Sequence, residues 1–257
     1  MSVFETYAQY YNLLYLDKNY REEADFVDGL FKKHAPETRS ILDAGCGTGA
    51  HAFCLAEKGY RITGIDQSEA MISSARQTLA DVHSDILPKV SFHRSGIQEL
   101  DLARRFHGAV SLFHVINYQI DNQSLKEFFR AIRRHLEPEG IFIFDFWYGP
   151  AVLTDRPAVR IKRLKNEGTE IVRIAEPVMH PNENTVDVHY TLQVIQNSSR
   201  LVKTIQETHT MRYLFIPEIR MFLSENGFQE CGWGKWLTGD SPGLDTWNAF
   251  CVARATP

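Results

Sequence analysis

Apolar residues recur along the chain with two different periods, and the places where one gives way to the other divide it. From Asn122 to Leu136 the apolar residues Leu125, Phe128, Phe129, Ile132 and Leu136 keep helical spacing, which predicts a helix with one buried face. Pro138 to Gly140 is expected to stop it, and the unbroken run Ile141 to Phe146 then predicts a strand buried on both sides. Ile41-Leu42, Tyr60 to Ile65, Val90 to His93 and Ala109 to Phe113 predict earlier strands. Helical signals fall between them, such as Ser68 as N-cap ahead of Met71, Ile72 and Ala75. Strand and helix alternating in this way specify an α/β fold with a doubly wound parallel sheet.

Residues 151–210 break that rhythm. Val186, Val188, Tyr190, Leu192 and Val194 alternate with Asp187, His189, Thr191 and Gln193, a period of two that predicts an antiparallel strand with one wet face. Asn166-Glu167-Gly168 and Pro181 to Asn184 supply turns between such runs, so an antiparallel β insertion of three or four strands follows strand five. It is either a lid or a dimerisation surface. The core resumes at Ile216, with Pro217 near a helix start, Ile219, Phe222 and Leu223 on the buried face and Gly227 at the end. Gln229 to Trp236 and Trp247 to Ala253 complete seven core strands. Residues 1–150 and 211–257 thus form the core, and 151–210 the insertion.

A chain of 257 residues suits one domain with an insertion. The net charge of -4 leaves no basic footprint, and Arg130 to Arg134 and Arg160 to Lys165 read as solvated faces, so a nucleic-acid partner is not expected. Cys46, Cys54, Cys231 and Cys251 form no CxxC pair, which points away from zinc and towards reduced cytoplasmic thiols. No metal is expected. No apolar run is long enough to cross a membrane, and the first residues lack the basic start of a leader.

The densest chemistry lies in Ile41 to Ala50, ILDAGCGTGA. Gly45, Gly47 and Gly49 let the turn after a strand bring backbone against a ligand. Asp43 stands at that strand's carboxyl end, and Asp66 ends the next strand, where an acid can accept both hydroxyls of a ribose. The glycines alone also satisfy a dinucleotide fingerprint, leaving a nicotinamide enzyme as the rival. Asp43 separates the two, because a carboxylate there repels a pyrophosphate and attracts a ligand carrying ammonium and sulfonium charge.

DxGxGxG followed by Asp66 resembles motif I and the acid after it in class I S-adenosyl-L-methionine (AdoMet) methyltransferases. The resemblance implies a Rossmann-like, doubly wound sheet of seven strands ending in an antiparallel hairpin. Methyl transfer by in-line displacement needs alignment in a dry site more than acid-base help, so positioning groups are sought at the carboxyl ends of strands four and five. There stand His114, Asn117 and Tyr118, and Asp145, Trp147 and Tyr148. His114 is either a general base or a loop histidine bonding backbone. Trp147 and Tyr148 either bind an acceptor ring or pack in the core, Tyr148 also being a catalytic candidate. Asp145 orients them or holds an amine. His189, Glu207, His209 and Arg212 are candidates for acceptor contact, Arg212 lying on the opposite face from Glu207 and His209.

Tyr11-Asn12-Leu13-Leu14-Tyr15, the glycine loop, Trp147-Tyr148 and the insertion together resemble bacterial nucleotide-sugar N-methyltransferases acting on amino-deoxysugars. That resemblance implies that Tyr11 and Tyr15 close over the methionine end, that Asp66 and Gln67 hold the ribose and adenine edge, and that Ile97 packs on adenine. Cys46, Met71, Gly96 and Phe113 are the other expected cofactor contacts. Tyr7, Tyr11 and Tyr15 share one face of a helix, either as core or as a cover for the cofactor mouth. One departure stands out: where these enzymes carry an acid for the adenine amino group, this chain has Ser95-Gly96-Ile97, so either Gln98 or a backbone carbonyl substitutes or adenine selectivity is looser. The expected acceptor is a small molecule, an amino-sugar nucleotide foremost. Another small amine, acid or phenol, or a noncatalytic AdoMet or S-adenosylhomocysteine sensor, are the alternatives.

Overall fold

The structure is a computed structural model describing residues 8–81, 86–166, 168–196 and 202–257. The core begins with helices α1 (Ala8–Leu14) and α2 (Tyr20–His34). It continues as β1 (Ser40–Ala44), α3 (Ala50–Glu57), β2 (Arg61–Asp66), α4 (Glu69–Asp81), β3 (Val90–Arg94), β4 (Phe106–Ser111), α5 (Asn122–Arg134) and β5 (Leu136–Trp147). After a short helix α6 (Gly149–Thr154) come β6 (Arg160–Asn166), β7 (Thr169–His180), β8 (Thr185–Gln196) and β9 (Val202–Arg212). Helix α7 (Ile216–Glu225) and strands β10 (Phe228–Lys235) and β11 (Asn248–Ala255) close the chain. The seven-stranded sheet runs β10-β11-β5-β4-β1-β2-β3, parallel except for β11, which pairs antiparallel with both β5 and β10. The order reverses beside β1, and in such sheets the crevice at the reversal is where ligands bind.

Helix α5 forms where the spacing predicts, and it is capped on both sides of its first turn. Asp121 accepts the Ser124 backbone N–H at 2.8 Å, and the Ser124 hydroxyl lies 3.3 Å from the Asp121 N–H. Its buried face carries Leu125, Phe128, Phe129 and Ile132 against β5. Phe129 sits at the centre, with ring centroids 5.7 Å from Phe144, 6.3 Å from Phe142 and Phe228 and 6.4 Å from Phe222.

Two boundaries differ from the pattern. Strand β5 begins at Leu136, not after Gly140: Phe106 pairs with Leu136 and Gly108 with Ile141, so extra residues of β5 bulge out opposite His107. Glu139, at φ +66°, makes the bend. Strand β4 ends at Ser111, short of the expected Phe113, because Phe113 and His114 both adopt φ +65° and turn the chain out of the sheet.

The insertion is a separate four-stranded antiparallel sheet in the order β6-β7-β8-β9. Val186, Leu192 and Val194 of β8 are buried while His189 and Gln193 are exposed, as the alternation predicts. Its inner face holds α1, through Leu14 packed with Ile171, Leu192 and Ile205, and meets the core through Val152, Val186 and Tyr213. Among the described residues no helix is long and apolar enough to cross a membrane.

Candidate functional site

A cleft of about 490 Å³ lies between the carboxyl ends of the core strands and the inner face of the second sheet. Its floor includes Gly45, Cys46 and Gly47 of the glycine loop, and Asp66, Gln67 and Met71 after β2. Gly45 at φ +86° has no room for a side chain, since a Cβ would stand 2.4 Å from Val115. At Gly47, φ +54°, a Cβ would meet no protein atom within 4 Å, leaving backbone open to the cleft. Asp66 holds this loop in shape: one carboxylate oxygen accepts the Gly47 N–H at 3.0 Å and the other the Ser68 N–H at 2.8 Å. Burial pushes its pKa up, and those two bonds oppose the shift.

Asp43 lies beneath the loop and not on the cleft wall. It is 2% exposed, and its Oδ2 has no hydrogen-bond partner. Burial raises its pKa to about 7, with nearby Asp66 adding to the effect and His51 opposing it. An uncompensated buried carboxyl behind a glycine cradle fits a cationic group in front of it.

Ile97, Ser95 and Gln98 line the cleft beyond the glycine loop, together with Gln119. Gln98 donates from Nε2 to Gln119 Oε1 at 2.6 Å. Gly96 is absent from the wall although its neighbours are on it, and Gly49 is likewise behind it. Gly49 caps α3 at φ +82°, and a Cβ there would press on the Phe92 ring at 2.6 Å, so its role is close packing.

Helix α1 lies over the opening. Thr48 of the glycine loop donates to Asn12 Oδ1 at 2.8 Å, and Tyr15 stacks edge-on against Phe113 at 5.0 Å and near Tyr11 at 4.7 Å. Tyr11, Tyr15 and Phe113 all face the cleft, whereas Tyr7 falls outside the described residues.

Beyond the donor half, the strained turn at Phe113-His114 directs both side chains into the cleft. Asp145, 1% exposed, accepts the His114 backbone N–H at 3.1 Å, and its other oxygen lies 2.9 Å from His114 Nδ1 without hydrogen-bond alignment. Asp145 therefore steadies His114 from below and does not reach the cleft. Trp147 faces the cleft. Tyr148, one residue on, points to the other side of β5, its ring 6.5 Å from Phe146 in the core, which removes it as a catalytic group.

Three acceptor candidates are also structural. Asn117 is fully buried and joins three elements, donating to the Arg212 carbonyl and accepting the Trp147 N–H at 3.3 Å. Arg212 turns away from the cleft to pair with Glu218 and to donate to Asn122 Oδ1 at 2.7 Å. His189 is exposed on the outer face of β8, 2.9 Å from Thr208. His209 and Tyr118 do line the cleft, hydrogen-bonded to each other at 2.8 Å.

The pattern missed Arg173, Tyr190 and Asn248, all on the wall. Two of them carried a readable signal. Arg173 shares the inward face of β7 with buried Ile171 and Ala175, and Tyr190 that of β8 with Val188 and Leu192. The Arg173 guanidinium lies 5.8 Å from the Tyr15 ring and 5.6 Å from the Tyr190 ring.

Residues 41–140 match the family described as a methyltransferase domain. The chain is 28% identical over 188 residues to the dTDP-3-amino-3,4,6-trideoxy-alpha-D-glucopyranose N,N-dimethyltransferase of Streptomyces venezuelae, covering 72% of this chain and 76% of that enzyme. It is 24% identical over 204 residues to the dTDP-3-amino-3,6-dideoxy-alpha-D-glucopyranose N,N-dimethyltransferase of Streptomyces fradiae, covering 79% and 75%. Among solved structures, the sugar N-methyltransferase KedS8 from Streptoalloteichus sp shares the fold with a TM-score of 0.82 at 20% identity, over 100% of this chain and 95% of that one. DesVI from Streptomyces venezuelae does so at 0.79 and 22%, over the whole of both chains. The chain is an AdoMet-dependent methyltransferase, and its fold resembles that of class I. Within that class it resembles the nucleotide-amino-sugar N-methyltransferases.

Proposed function

We propose that this enzyme methylates the amino group of a nucleotide-linked amino sugar. The observation that carries the reading is that relatives named for dTDP-amino-sugar acceptors align over some three-quarters of the chain. The cleft supports it: aromatic walls from Trp147 and Tyr190 suit a sugar, and the Arg173 cation suits an anionic portion of the acceptor such as a diphosphate. When bound, AdoMet supplies an electrophilic methyl group. Asp66 would accept its ribose hydroxyls, the Gln98 carbonyl its adenine amino group and Ile97 an adenine face, with Tyr11 and Tyr15 over the methionine end. The four free cysteines agree with a cytoplasmic setting.

Labelled AdoMet offered with a panel of dTDP-amino sugars, simple amines, phenols and carboxylic acids tests this. Transfer to at least one nucleotide-linked amine is expected; transfer only to the other acceptors would replace it with the broader small-molecule reading.

Asp43 gives a second test. Its raised pKa leaves it largely protonated at pH 6.5 in the free protein, while a facing ammonium favours the carboxylate. Calorimetry at pH 6.5 in buffers of different ionisation enthalpy is therefore expected to show net proton release on AdoMet binding. Asp43→Asn should abolish that release. Affinity should weaken as pH falls below about 7 in the parent protein only. A buffer-independent enthalpy would remove Asp43 from the donor site.

A further inference from the structure

Resting on the amino-sugar reading, we infer that Asn248 reads a ring hydroxyl of the acceptor and so decides which amino sugars are methylated. Strand register directs this side chain to the cleft. Asn248 pairs with Trp147 across β11 and β5, and residues directly opposite in an antiparallel pair project from the same face. Trp147 faces the cleft, and both residues line it. The backbone here is fixed on both flanks. The Asn248 carbonyl accepts the Trp236 N–H at 2.9 Å, and the Trp247 carbonyl accepts the Tyr148 N–H at 3.0 Å.

The amide itself is not engaged in this way. Asn248 Oδ1 is buried, with no hydrogen-bond partner among the described residues. A buried acceptor left so costs free energy that a donor on a ligand recovers. Its surroundings are apolar. The Trp147 and Trp247 ring centroids lie 5.6 Å apart at 74°, and Trp247 Nε1 donates to the Asp155 carbonyl at 3.0 Å, tying in the chain that leads to Pro157 and Ala158 on the same cleft wall. Indole faces with one amide between them suit a sugar: its C–H faces lie on the rings and a hydroxyl meets the amide. A hydroxyl both gives and takes a hydrogen, so it satisfies the amide whichever end points inward. The reacting amine is a different group. In the sheet order β5 and β4 separate β11 from β1, which leads into the glycine loop. Three strand spacings amount to about 14 Å. An amine that reaches the donor on the glycine-loop side leaves Asn248 to another substituent of the same acceptor. Asn248 is thus a residue of specificity and takes no part in the methyl transfer itself.

The test uses the full chain and dTDP-amino sugars taken in pairs that differ by a single ring hydroxyl, with kcat/KM measured for each. In the parent one pair should favour the hydroxylated member by about 10- to 100-fold. Asn248→Leu, close in size but unable to hydrogen-bond, should bring that ratio to about one by slowing the hydroxylated member. Asn248→Ala, which adds no bulk, should do the same, so a leucine that disturbs folding does not hide the result. Asn248→Asp keeps an oxygen acceptor and should retain the preference. AdoMet affinity should match the parent's in all three. A ratio unchanged in Asn248→Leu and Asn248→Ala overturns the inference, as does a parent with no hydroxyl preference in any pair; both outcomes leave amino-sugar methylation standing. A parent that methylates none of these sugars overturns that reading and the inference with it.

Discussion

Replacing Asp66 with alanine is expected to weaken AdoMet binding by at least about 100-fold, equivalent to roughly 3 kcal/mol or more. The loss comes from two sources. Hydrogen bonds to a charged acceptor contribute about 1.5–3 kcal/mol each, and the ribose can make two. The carboxylate also holds the Gly47 and Ser68 N–H groups, so its removal frees the glycine loop that forms the floor of the site. Asparagine should restore little. Each carboxylate oxygen already accepts one backbone N–H, and an amide would have to set its NH2 against one of them, donor to donor. Calorimetric titration of both variants checks this; an Asp66→Asn protein within about fivefold of the parent would place the ribose elsewhere.

Phe129→Ala is expected to be the most damaging single change to stability, at about 4 kcal/mol. The ring is fully buried, surrounded by Phe128, Phe142, Phe144, Phe222 and Phe228, and neighbours that stacked on five sides cannot close the void. For a chain of this size the melting temperature should fall by about 10 °C. Phe129→Leu should cost far less, about 1–2 kcal/mol, because most of the volume is kept. The ring lies outside the cleft, so AdoMet affinity measured well below the transition should match the parent's. Denaturation in urea, comparing midpoints at constant slope, is the measurement. A shift below about 1 kcal/mol would mean that the aromatic layer repacks freely.

The donor half was legible in the sequence because backbone makes it. Gly45 is favoured by φ and by space, Gly47 by φ, and Asp66 by its place at a strand end, so residue type and spacing alone specify them. The acceptor half was less legible because it depends on which way a side chain points after a turn. Tyr148 and Trp147 are neighbours of equal promise in the sequence, and the pleat of β5 sends one to the core and the other to the cleft. Register decided His189 in the same way, against Tyr190 beside it. Asn117, Asp145 and Arg212 are polar, and their buried hydrogen bonds serve the frame, a distinction that composition does not carry. The bulge before Ile141 was hidden because Pro138 and Gly140 read as a stop, whereas a single left-handed residue, Glu139, keeps the chain within the sheet.

Asn117 has a bearing on how such an enzyme changes over evolutionary time. One amide joins the loop after β4, strand β5 and the end of β9, and so fixes the spacing between a floor that receives a common donor and a roof drawn from a different sheet. While that joint is kept, side chains on β7 to β9 are free to be redrawn for new acceptors without disturbing the half that receives the donor. On the proposed reading, the line between the two sheets is also the line along which selection for chemistry and selection for substrate would part company.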